Sequence, residues 1–149
     1  MISRGGNKFN CCESALIRID QVRPLPGFGT TVMKVASGFG GGVGGWGSVC
    51  GAVSGVAMAF GLLYGSEGGE SPDVYTGKRG ALREMSQEFF KAFEAEYGSV
   101  NCVDLLGVDR RTEEGNRRYE ELREQGAFNC DGYVDWAVEK ALEMLSVLD

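Results

Sequence analysis

Three asparagine–cysteine pairs, Asn10-Cys11, Asn101-Cys102 and Asn129-Cys130, each open a stretch with helical patterning. Asparagine is among the best N-cap residues, because its side-chain oxygen accepts from the unsatisfied N–H groups of the first turn. A cysteine one residue later is expected inside that turn, where free amides and the macrodipole favour negative charge. Cys50, two residues after Ser48, opens the apolar run Val49 to Tyr64 and completes a set of four. A thiolate is both nucleophile and metal ligand, and a helix start lowers its pKa. Redox or metal chemistry is therefore the expectation, with Cys11, Cys50, Cys102 and Cys130 as candidate catalytic residues and candidate metal ligands. They are expected to converge in space, and Cys50 to titrate below the ordinary thiol value of about 8.5. Cys12 lacks this placement and reads as a core residue, or as a neighbour able to resolve an oxidised Cys11.

The four positions contain no Cys-x-x-Cys, so no thioredoxin-like pair and no zinc ribbon follows from local spacing. A shared site must be assembled by tertiary structure. An all-cysteine set of four suits an iron–sulfur cluster, with zinc as the weaker expectation. The chain has no histidine, which excludes a Ser-His-Asp or Cys-His catalytic pair and a histidine-ligated zinc or haem. Without Cys-x-x-Cys-His there is no c-type haem. A competing reading comes from the burial habit of free cysteine, which often behaves as a small hydrophobe. On that reading the chain is a non-catalytic helical ligand- or protein-binding module with structurally buried cysteines.

The elements that must position these thiols are helices. A chain of 149 residues is expected to form one domain, residues 1–149, with about residues 1–8 flexible. The first helix is predicted from Cys11 to about Ile19, with Glu13 completing a capping box, and a second from Thr31 to Ala36. From Gly38 to Gly55 half of the residues are glycine. The first part of that run is expected to be a loop anchored by Phe39 and Trp46. In the second part Gly51, Gly55 and Ala59 leave one helix face almost bare, open to another backbone or a cofactor. Glu67 to Gly80 reads as a polar connector with a helix start at Ser71-Pro72-Asp73. Met85, Phe89, Phe93 and Tyr97 then form an amphipathic stripe. Short and long helices are predicted at Cys102–Leu106, at Thr112–Gln125 with a charged, solvated face, and at about Cys130–Val147. No alternating strand is evident. The fold class is all-α: a compact single-domain multi-helix bundle with a glycine-rich loop.

Gly40-x-Gly42-x-x-Gly45 formally matches the dinucleotide fingerprint, but no strand precedes it, and no Gly-Lys-Ser/Thr follows for a phosphate loop. Gly40, Gly41, Gly42 and Gly51 are instead assigned as cofactor-binding backbone, whose amides can hydrogen-bond cluster sulfurs or an anion. A net charge of −6 argues against nucleic acid. Val49 to Gly65, diluted by glycine, is short for a membrane span and reads as a buried helix. With no export signal at Met1 to Lys8, the cysteines are expected in a reducing cytoplasm.

Asn10-Cys11, Gly38-Phe39-Gly40-Gly41-Gly42, Cys50-Gly51-Ala52-Val53-Ser54-Gly55, Asn101-Cys102 and Cys130 together resemble the redox-active bacterial proteins known by their cysteine pattern as the C_GCAxxG_C_C family. The resemblance covers the chain from about Asn10 to the last helix. The family label has Gly-Cys-Ala-x-x-Gly where this chain has Cys50-Gly51-Ala52-x-x-Gly55. The resemblance implies electron transfer or thiol/disulfide chemistry, with a redox partner protein or a small-molecule thiol as the other reactant.

Overall fold

The computed structural model describes residues 1–4 and 6–149. Seven helices carry the described fold: α1 Cys11–Val22, α2 Thr30–Ser37, α3 Gly51–Tyr64, α4 Pro72–Tyr97, α5 Cys102–Leu106, α6 Glu113–Glu124 and α7 Cys130–Val147. The class is all-α, as predicted. Of the segment expected to be flexible, Gly5 lies outside the described residues. Within the rest, Ser3–Arg4 (β1) pairs antiparallel with Asn7–Lys8 (β2), a hairpin too short to register as alternation in the sequence. It is tied to α1 by the Ile2 N–H, which donates to Ser14 Oγ at 3.2 Å.

α3 is apolar on all sides because it is the central helix, packed against α1, α4 and α7. Ala52, Val53, Val56, Ala59 and Phe60 are fully buried on it. Its glycine face meets α1, as the spacing predicts. A Cβ on Gly51 would stand 2.9 Å from Cys12 N and 3.0 Å from Cys11 Cβ, and one on Gly55 would stand 2.8 Å from Cys12 O. Only bare α-carbons let the two backbones approach this closely.

The second half of the core is aromatic. Phe89 and Phe93 of α4 are fully buried against Phe60 of α3 and Trp136 of α7. Each such ring contributes roughly 1.5–3 kcal/mol by leaving water. α4 starts at Ser71-Pro72-Asp73 as predicted, with Pro72 in its first turn, runs on through the rest of the segment read as a connector, and ends at Gly98 in the left-handed conformation. Gly77 and Gly80 lie on its solvent side, where they do not break it.

Five consecutive residues, Gly41 to Gly45, have φ between 62° and 74°. Each L-residue pays about 1–2 kcal/mol there, so only a run of glycines builds such a turn, and Val43 is its one exception. The loop is closed by its own backbone: the Gly44, Gly47 and Ser48 amides donate to the carbonyls of Gly38, Gly41 and Gly42. Phe39 packs against the core as expected, whereas Trp46 does not anchor the loop. It is 61% exposed, with the Arg111 guanidinium 5.1 Å from its ring centre.

Candidate functional site

The residues leaving the glycine turn form an isolated antiparallel bridge, Val49 to Asn101. The Cys50 N–H donates to Val100 O at 2.7 Å, and the Cys102 and Val103 N–H groups donate to Ser48 O and Gly47 O at 2.7 and 3.0 Å. This zipper sets Cys50 beside Cys102. It also satisfies the first amides of α5 with backbone carbonyls, so the Asn101 side chain makes no cap hydrogen bond. Asn129 makes none either, because its ψ of 33° takes it out of capping geometry. Only Asn10 caps as predicted: its oxygen accepts from Glu13 N at 2.8 Å, and Glu13 accepts from Asn10 N at 2.9 Å. Cys11, Cys102 and Cys130 each occupy the first helical residue. Cys50 stands one position earlier, as the N-cap of α3. The reversed order of Cys50-Gly51 has a steric reason, since a side chain at position 51 would collide with the start of α1.

All four cysteines line one cavity of about 280 Å³. Gly40, Gly41 and Gly51 also line it. Gly42 does not: a Cβ there would meet Ser48 O at 2.5 Å and Cys102 Cβ at 2.7 Å, so its task is to let the bridge close. The bare α-carbon of Gly40 makes room for the Asn10 side chain, and that of Gly41 for the Gly45 backbone, whose Cα a Cβ would meet at 2.9 Å. Cys12 is fully buried outside the cavity, its sulfur 3.6 Å from Met58 Sδ. Burial pushes its thiol up to about 12, as befits a core residue.

Electrostatics divides the four thiols. Cys50 does not titrate low: burial pushes it up, and the pull of the Ala52 and Val53 amides does not offset the loss of solvent. Cys102 is pushed up to about 11, chiefly by burial, with Arg110 opposing. Cys11 and Cys130 oppose each other, Cys11 being raised and Cys130 lowered from the ordinary thiol value, each chiefly by the other's sulfur, while the Cys11 thiol itself meets Met1 Sδ at 3.8 Å. Cys130 is the one cavity thiol that is lowered rather than raised.

Arg110, Tyr119 and Tyr133 complete the polar lining, with Leu105 and Leu106 as apolar wall. None was legible as a site residue. Tyr119 reads as the inward face of a charged helix and Tyr133 as core, and nothing local distinguishes Arg110 from the arginines beside it. Among the described residues no group of three or more cysteine or carboxylate side chains is placed to hold a single metal ion. No helix among the described residues is long and apolar enough to cross a membrane.

The family model described as "Putative redox-active protein (C_GCAxxG_C_C)" matches residues 9–144. No match to this chain emerges among curated proteins or solved structures. The matched segment runs from the residue before Asn10 into α7 and takes in all four cavity cysteines, and the chain belongs to the C_GCAxxG_C_C family.

Proposed function

We propose that the protein is a thiol/disulfide redox protein that stores an electron pair between Cys11 and Cys130. One observation carries this reading: Cys11 and Cys130 line one cavity, and Cys130 alone among its four thiols is drawn below the ordinary value, chiefly by Cys11. The Cys130 thiolate attacks one sulfur of a substrate disulfide, whose S–S bond breaks as a mixed disulfide forms. The departing thiolate takes the proton of Cys11. Cys11, now ionised, attacks the Cys130 sulfur, forming the Cys11–Cys130 bond and expelling the second substrate thiolate, which water protonates. The substrate gains two electrons and the protein loses two. A redox partner protein or a small-molecule thiol returns them by the reverse exchange. Cys50 and Cys102, kept protonated by burial, form the back of the cavity. Such a cycle belongs in a reducing cytoplasm.

Peptide mapping after mild oxidation tests this. A Cys11–Cys130 disulfide is expected, with Cys130→Ser unable to exchange and Cys11→Ser halted at the mixed disulfide. A Cys130→Ser variant that exchanges like the parent overturns the reading. A second reading, electron transfer through an iron–sulfur cluster held by all four thiolates, is favoured by the all-cysteine donor set around one cavity. Anaerobic purification with iron and sulfide analysis separates the two: stoichiometric iron and visible absorbance favour the cluster.

A further inference from the structure

Arg110 is the one cation lining the cysteine cavity that is carried by a side chain. Its guanidinium lies over the Tyr119 ring, 3.8 Å from the centroid, and that ring is stacked in turn on Phe128 at 5.1 Å. The neighbouring carboxylate is already taken, because Asp109 pairs with Arg111 at 2.8 Å. Among the described residues no carboxylate pairs with Arg110, and its Nε is buried without a hydrogen-bond partner. A buried donor on a charged group left unpaired is costly, so its place in a protein of net charge −6 calls for a partner from outside the fold. Stacking on Tyr119 fixes the plane of the guanidinium. The starts of α1 and α7 also line this cavity, adding partial positive charge to its wall.

From this arrangement we infer that the cavity selects a small anionic disulfide, with Arg110 receiving a carboxylate of the substrate while Cys130 meets its sulfur. The inference rests on the thiol-exchange reading for the reaction but not for the binding. A guanidinium and a carboxylate form a planar, two-point contact, which suits substrates built like the disulfides of carboxylated thiols. The cavity, at about 280 Å³, accommodates one half of such a molecule rather than a protein surface.

Two probes test binding and reaction separately on the full-length reduced protein. Thiodipropionate, a dicarboxylate thioether, cannot exchange, so its equilibrium binding reports the anion site alone. Dithiodipropionate and the uncharged hydroxyethyl disulfide report exchange. Thiodipropionate is expected to bind, Arg110→Gln to weaken it about tenfold or more, and Arg110→Lys to retain part of the affinity. The rate preference for dithiodipropionate over hydroxyethyl disulfide is expected to collapse in Arg110→Gln. Binding that depends on Arg110 with no exchange of either disulfide upholds the anion site and overturns the thiol-exchange reading. Thiodipropionate that does not bind the parent, or that binds the parent and a folded Arg110→Gln variant alike, overturns the anion site.

Discussion

Replacing Gly55 by alanine asks how closely α1 and α3 are packed. The added methyl would stand 2.8 Å from Cys12 O and 3.0 Å from Ala15 Cβ, both on α1. The oxygen belongs to backbone, so α1 has to move outward by about half an ångström to restore ordinary contact. Overpacking of this kind costs roughly 1–3 kcal/mol. Alanine also has the higher helix propensity, worth about 1 kcal/mol. The net expectation is a loss of about 1 kcal/mol, a fall of about 2–4 °C in the melting temperature for a domain of this size. Gly77→Ala on α4 is the matched control, because no atom lies within 4 Å of its added methyl. There only the propensity gain operates, so the same substitution is expected to stabilise by up to about 1 kcal/mol. Denaturant titration of the three proteins reads both signs. Because α1 begins at Cys11, Gly55→Ala should also slow formation of the Cys11–Cys130 disulfide. A Gly55→Ala protein as stable as Gly77→Ala refutes the close approach of the two backbones.

Alkylation near neutral pH followed by peptide mapping is expected to label Cys130 first, with Cys50 and Cys102 protected by their raised pKa. Cys11→Ala removes the sulfur that draws Cys130 down, so the midpoint of Cys130 labelling should move to higher pH. Val43 sits at φ 62° and is 42% exposed. Val43→Asn is therefore expected to stabilise the loop by about 1 kcal/mol in denaturant titrations, since asparagine tolerates that conformation. The Glu70 carboxylate accepts from Lys78, from the Glu67 amide and from Ser66, which hold its pKa well below the usual carboxylate range. Its stabilising effect is full above the unfolded value of about 4.3 and is lost as pH falls below it toward the lower folded value. Stability curves of Glu70→Gln should accordingly fall less steeply in acid than those of the parent.

Local pattern carried most of the helices. The capping box at Asn10, the four-residue repeat from Met85 to Tyr97 and the glycine stops at Gly98 and Gly107 are short-range signals, and each marks a real boundary. Convergence of the four cysteines was also legible, but only as an inference from their similar placement. What joins Cys50 to Cys102 is a backbone bridge between segments some fifty residues apart, and such pairing depends on which loops meet rather than on which residues they contain. The glycine run shows the same limit. Its composition excluded a helix in the first part, whereas the left-handed turn and the close approach of Gly41 to the Gly45 backbone appear only once the neighbours are in place.

Placement at a helix start does not by itself make a thiol reactive. The macrodipole and the first amides contribute about 0.3–1 kcal/mol at an exposed end, whereas burial of a thiolate shifts its pKa by several units in the opposite sense. Cys50 has the amides and loses to burial, since only 5% of it is exposed. Cys130, half-buried, has one thing more: Cys11, whose sulfur draws it down. Four chemically identical side chains thus differ within one cavity, and the difference lies in which sulfur has another thiol to favour its charged form. On the proposed exchange, oxidation or removal of Cys11 would take that pull from Cys130. On the proposed exchange cycle, a pair coupled in this way would pass its proton to the leaving group in the step that makes Cys11 the next nucleophile, without a histidine to carry it.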